Sequence, residues 1–100
     1  MKKRFNVVIG AIAKIEIEEA ATWYEEQKIG LGELFLEAFE KSIEKIQKSP
    51  SAFTLVKHHR QFPVKYFPFV ILYEIVDETL FIDAVFHTSR DPKEKIRKPN

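Results

Sequence analysis

Apolar positions recur along this chain with two different periods, and the change between them separates a helical first half from a strand-rich second half. Phe5 to Ile9 is a short run of β-favouring residues that Gly10-Ala11 then breaks, which predicts a first strand leading into a helix. From Ala13 the apolar positions Ala13, Ile17, Ala20 and Tyr24 are spaced for one face of a helix of roughly 14 residues. Glu16, Glu18 and Glu19 fall near its start, where the helix dipole favours acids. Gly30-Leu31-Gly32 ends this helix, because glycine accepts the left-handed conformation needed to stop one helix before another begins. Leu34, Phe35, Ala38, Phe39, Ser42, Ile43 and Ile46 then trace a wide apolar arc, with Glu37, Lys41, Glu44, Lys45 and Lys48 opposite. The two segments form a helical hairpin.

Ser49-Pro50-Ser51 closes the second helix, since proline lacks an amide donor and pushes the residue before it out of the helical region. A polar connector is expected from Lys57 to Gln61, followed by a strand over Phe62 to Phe67 whose neighbouring prolines, Pro63 and Pro68, belong at edges or bends. Phe69 to Val76 and Leu80 to Phe86 are rich in β-branched and aromatic residues and joined by Asp77-Glu78-Thr79, the composition of a hairpin. Thr88 to Pro92 reads as a turn, and the charged tail 93–100 as loose at its end. The expected fold is therefore α+β: one domain over residues 1–100, with an N-terminal strand, a two-helix hairpin, and a three- to four-stranded antiparallel sheet.

Composition narrows the function classes. One hundred residues, 45% apolar and 31% charged, can build one core and exclude both disorder and a two-domain enzyme. The chain has no cysteine, so it can make neither a disulfide framework nor a thiolate metal site, and a reducing, cytoplasmic setting is expected. No apolar stretch approaches the roughly 20 residues of a spanning helix. Lys2-Lys3-Arg4 followed by Val7 to Ala13 imitates a secretory signal, but Asn6 and Lys14 confine its apolar part to about seven residues, the lower limit for such a region. The net charge is +1, and the basic excess lies in residues 51–100, which carry 8 Lys/Arg against 6 Asp/Glu and all three histidines. His58, His59 and His87 include no helical pair with carboxylates at ligand spacing, so neither a metal nor another cofactor is expected.

The glycines do not have the spacing of a phosphate-cradling loop, and the nearness of His87, Ser89 and Asp91 in sequence does not make a nucleophilic triad. The group with possible chemistry is Lys57, His58, His59, Arg60, Lys65, His87 and Arg90, which a sheet could gather along one side and end. Such residues grip phosphates, and His87 with Arg90 would supply proton transfer and a cation for an RNA-cleaving step. The same residues also read as a solvated loop and the cap of the last strand. On the first helix, Tyr24 belongs to the core stripe and Trp23 faces outward as a candidate partner anchor.

Five segments, in order, carry a family resemblance: Ala20 to Glu25, Gly30-Leu31-Gly32 with Phe35, Ile46 to Pro50, Phe67 to Tyr73, and Val85 to Pro92. Together they resemble the RelE/ParE toxins of type II toxin-antitoxin systems, from about Phe5 to Arg97. The resemblance implies a small toxin neutralised by a cognate antitoxin, with no small-molecule cofactor and no membrane. It allows two activities: ribosome-dependent cleavage of mRNA, as in RelE-like members, or inhibition of DNA gyrase, as in ParE-like ones. Under the first, His87 and Arg90 would be catalytic. Lys57, His58, Arg60, Lys65 and Arg90 are candidate contacts to target or phosphate, and Trp23 would face the antitoxin. The RNA-cutting pattern places an arginine three residues before Tyr73, where this chain has Val70. An apolar side chain cannot stabilise an anionic phosphorane. The Phe67-Pro68-Phe69 stretch and the Gly-Leu-Gly turn resemble the ParE-like branch, which makes gyrase the expected target. A module that only binds antitoxin would keep the same core pattern.

Overall fold

The computed structural model describes residues 5–89. Its elements are β1 (Asn6–Ile9), α1 (Ala11–Gln27), α2 (Leu31–Lys48), a single 3-10 turn (Pro50–Ala52), β2 (Leu55–Val56), β3 (His59–Pro63), β4 (Phe69–Val76) and β5 (Thr79–His87). The five strands form one sheet in the order β1-β5-β4-β3-β2. Strands β2 to β5 are antiparallel neighbours, as expected, while β1 adds to the edge parallel to β5. That parallel pairing is invisible to local sequence, because it depends on the direction in which the helical hairpin returns the chain. Val7 and Ile9, part of the signal-like run, thus pair with Leu80 and Ile82, and Ala13 is fully buried. Among the described residues no helix is long and apolar enough to cross a membrane.

The helical hairpin covers one face of the sheet. Ala13, Ile17 and Ala20 from α1 and Phe35, Phe39 and Ile46 from α2 are buried against Ile71, Tyr73, Leu80, Ile82 and Val85. Each large side chain so buried contributes about 1.5–3 kcal/mol. Ser42 sits in this apolar stripe because its Oγ donates back to the Ala38 carbonyl at 2.9 Å, so the burial leaves no hydroxyl unsatisfied. Helix α1 starts at Ala11, so its first turn holds no acid and the expected dipole complementarity is absent there. Glu16 instead accepts the Val85 amide at 2.7 Å, tying helix to sheet.

Two glycines set the hairpin. Gly30 adopts φ 92°, the left-handed conformation anticipated for the break. Gly32 is required for a different reason: a Cβ there would lie 2.5 Å from the Ala21 carbonyl oxygen of α1. Glu25 completes the turn, its carboxylate accepting the amides of Gly30 at 2.9 Å and Gly32 at 3.0 Å, so a negative charge occupies the positive end of α2.

In the second half the strand boundaries shift from the expectation. Only Lys57 and His58 of the expected connector form a turn, with Lys57 at φ 58°. His59 to Gln61 belong to β3, which ends at Pro63, and residues 64–68 form the bend. Leucine- and valine-rich runs set strand propensity, but here cross-strand pairing of Arg60 with Tyr73 and Gln61 with Leu72 overrides the polarity of the segment. Between β4 and β5 the register slips: Leu72 pairs with Ala84 and Tyr73 with Ile82, leaving Asp83 as the extra residue of a bulge. The sheet face away from the helices carries a smaller apolar cluster of Val70, Leu72, Ala84 and Phe86.

Candidate functional site

The end of the sheet where β4 begins is lined with aromatic rings. Phe35 lies 5.3 Å from Phe67 and 5.2 Å from Phe69, and Tyr24 packs on Phe35 at 5.5 Å and Phe67 at 4.9 Å. Burial raises the Tyr24 phenol above its usual range. Trp23 stands edge-on to Tyr24 at 5.2 Å and is 55% exposed, so α1 presents it outward with its base supported. Beside this cluster a groove of about 830 Å³ runs between α2 and the β3–β4 bend. Leu34, Ala38, Phe62 and Phe67 make its apolar floor and wall, and Lys41, Lys45 and Lys65 outweigh one acid, Glu37, around it. Leu34, expected in the core arc, is 54% exposed and lines this groove.

Tyr66 also lines the groove, 85% exposed and held at φ 73°. A left-handed aromatic residue costs roughly 1–3 kcal/mol and persists only where the surrounding structure imposes it. Lys65 Nζ lies 5.1 Å from its ring centroid. Sequence reasoning missed Tyr66, since nothing in a Lys-Tyr-Phe-Pro string signals positive φ.

The cationic residues singled out from the sequence are divided between two places. Lys65 and His87 belong to the end where β3 finishes and β5 ends, whereas Lys57 and His58 form the β2–β3 turn at the opposite end. Arg60 lies on the helix-side face, and its Nη1 donates to the carbonyls of Ser51 at 3.1 Å and Phe53 at 2.8 Å. That use fastens the 3-10 turn to β3. The same turn is held by Tyr73, whose buried hydroxyl donates to the Pro50 carbonyl at 2.6 Å. Burial raises the Tyr73 pKa, with the nearby Arg60 charge acting in the opposite sense. His87 is exposed, with its Nδ1 2.9 Å from Ser89 Oγ and accepting the Ser89 amide at 3.1 Å, and its ring 5.4 Å from Phe69. Accepting an amide fixes Nδ1 as unprotonated in that arrangement, leaving Nε2 for the proton. Arg90 and the tail 93–100 lie outside the described residues. Val70, at the position where the RNA-cutting pattern has arginine, packs in the apolar cluster with Leu72, Ala84 and Phe86.

A second polar group lies on the face away from the helices. His59 stands opposite Glu74 on the neighbouring strand, one step beyond the Arg60–Tyr73 pair, and the β5 bulge brings Asp83 to both. His59 Nε2 is 3.3 Å from Glu74 Oε2 and 3.1 Å from Asp83 Oδ2. The Asp83 carboxyl is pushed up to about 7, chiefly by burial and then by its hydrogen bond and charge interaction with Glu74. The three residues are far apart in sequence, and without the bulge they could not be grouped.

A helical hairpin on one face of a mostly antiparallel five-stranded sheet, with a groove beside it, defines a small α+β domain. A solved chain described as the chromosomal ParDE TA system from P. aeruginosa has the same fold, with a TM-score of 0.61 at 13% identity over 83% of this chain and 95% of that one. Among curated proteins no sequence matches this one. The family described as the ParE toxin of type II toxin-antitoxin system, parDE, matches residues 7–92, and the chain belongs to it.

Proposed function

We propose that this ParE-family toxin arrests growth by binding DNA gyrase, and that a cognate antitoxin neutralises it by laying an apolar segment into the groove between α2 and the β3–β4 bend. The observation that carries the gyrase reading is Val70. In an apolar cluster with Leu72, Ala84 and Phe86, it offers no charge to a cleavage transition state. Loss of one such electrostatic contact costs about two orders of magnitude in rate, so the remaining His87 is a weak basis for RNA cleavage. The groove suits an amphipathic partner: its floor is apolar and Lys41, Lys45 and Lys65 call for acidic residues along the partner's edges. Trp23 and Tyr66 add exposed rings of the type that anchors interfaces.

A supercoiling assay with purified toxin and bacterial gyrase tests the reading. Inhibition should appear with wild-type toxin, persist in His87→Ala, and be relieved by antitoxin. Unimpaired gyrase together with cleaved ribosome-bound message would reject it in favour of the nuclease, in which His87 and Arg90 act on RNA held by Lys57, His58, Arg60 and Lys65. Normal growth at good expression without antitoxin would leave only an antitoxin-binding module.

A further inference from the structure

We propose that His59, Glu74 and Asp83 form a binding site for a divalent transition-metal ion such as zinc, on the sheet face that the helices leave uncovered. One imidazole nitrogen and two carboxylate oxygens from three adjacent strands converge here, all within 4.8 Å of one another. Ligands about 2.0–2.1 Å from a tetrahedral zinc stand roughly 3.3–3.4 Å apart. The separations from His59 Nε2, 3.3 Å to Glu74 and 3.1 Å to Asp83, are already close to that edge length.

The directions of the polar atoms favour the same conclusion. Asp83 Oδ2 is buried and makes no well-aligned hydrogen bond, although His59 Nε2 lies 3.1 Å away at ion-pair distance. With both carboxyls ionised, the group carries at least one net negative charge, which a divalent cation would offset. Leu72 and Ala84, nearly buried on the same face, adjoin the group and keep part of its surroundings dry.

The imidazole disfavours calcium and magnesium, which prefer all-oxygen sets, and selects for zinc or a neighbouring first-row metal. Three protein ligands leave a coordination position open, and side-chain exposures of 40% at Glu74 and 34% at Asp83 give water access to it. An ion held here would pin β3, β4 and β5 together across the bulge.

The test is titration of the tag-free, chelator-stripped chain with Zn²⁺ by calorimetry and with Co²⁺ by visible absorption. One equivalent should bind, with the intense d–d bands of a four- or five-coordinate cobalt. Removing a supporting outer group alone weakens metal sites by about 10–100-fold, so Glu74→Gln and Asp83→Asn should each weaken binding by at least about 100-fold. Glu74 is the more exposed of the two carboxylates, so if Asp83→Asn fails to fold, Glu74→Gln carries the test. Absence of saturable binding in the wild type, in which case His59 is a simple ion-pair partner, overturns the proposal. So does binding that survives Glu74→Gln but disappears in His58→Ala.

Discussion

Replacing Gly32 with alanine should destabilise the protein by about 1–2 kcal/mol, although alanine is the better helix former. Propensity alone predicts a gain of up to about 1 kcal/mol from this change. The structure opposes it: the new Cβ would lie 2.5 Å from the Ala21 carbonyl oxygen and 3.1 Å from Glu25 Cβ. Even close C–H···O contacts keep carbon and oxygen about 3.3 Å apart, so the two helices must separate by nearly an ångström. The obstacle is backbone, so no rotamer change relieves it, and overpacking of this kind costs about 1–3 kcal/mol. Separation also lengthens the Glu25 hydrogen bonds to the Gly30 and Gly32 amides, which adds to the loss. In a domain of this size each kcal/mol moves the melting temperature by about 4–8 °C, so circular dichroism should show a fall of roughly 4–16 °C. Gly30→Ala is the comparison, because nothing lies within 4 Å of its added Cβ and only φ 92° resists it, at about 1–2 kcal/mol. A Gly32→Ala protein that melts at or above the wild-type temperature would refute the close-approach reasoning.

Three further outcomes follow from particular contacts. Tyr73→Phe strands the Pro50 carbonyl in a buried site and should cost about 1–3 kcal/mol in urea denaturation, while growth inhibition persists; a loss of toxicity in the folded variant would give Tyr73 a chemical role. Trp23→Ala should weaken antitoxin binding by at least about 10-fold with stability within about 0.5 kcal/mol of wild type, since the ring is more than half exposed; unchanged affinity by calorimetry would remove Trp23 from the interface. For metal-free protein, Asp83 binds its proton more tightly when folded, at about 7 against 3.8 unfolded, so its contribution to stability is lost as pH rises across that window. His59 and Glu74 face it, and Asp83→Asn should flatten this decline in urea melts between pH 4 and 7; an unchanged slope would assign the dependence to other groups.

The parts of the fold legible in the sequence are those set by local periodicity. Ala13, Ile17, Ala20 and Tyr24 mark the inner face of α1 because one helical stripe decides their burial, and the hairpin over residues 69–87 follows from two β-rich runs about one turn. Leu34 misleads because the stripe rule treats any apolar residue on the arc as core, whereas the groove leaves it half open. His59 to Gln61 look like a loop because their polarity is real, but they occupy a strand whose outer face is free of helices. The site was less legible than the fold. Lys57 and Lys65 are close in sequence yet lie at opposite ends of β3, and antiparallel geometry cannot be seen until the strand limits are known. The group of His59, Glu74 and Asp83 depends on a one-residue bulge, a register event that period-two alternation hides.

The edge position of β1 has a consequence for how the toxin comes into being. Among the described residues it pairs with β5 alone, so Asn6 must wait for Thr79, and Ile9 for Ile82, across almost the entire described chain. Contacts so distant form late, because a long loop must close before they give any return. A translating ribosome therefore extrudes the first strand long before its neighbour exists, and any message truncated ahead of codon 79 yields a polypeptide that cannot close its sheet. Synthesis itself thereby delays closure of the sheet until β5 has been made.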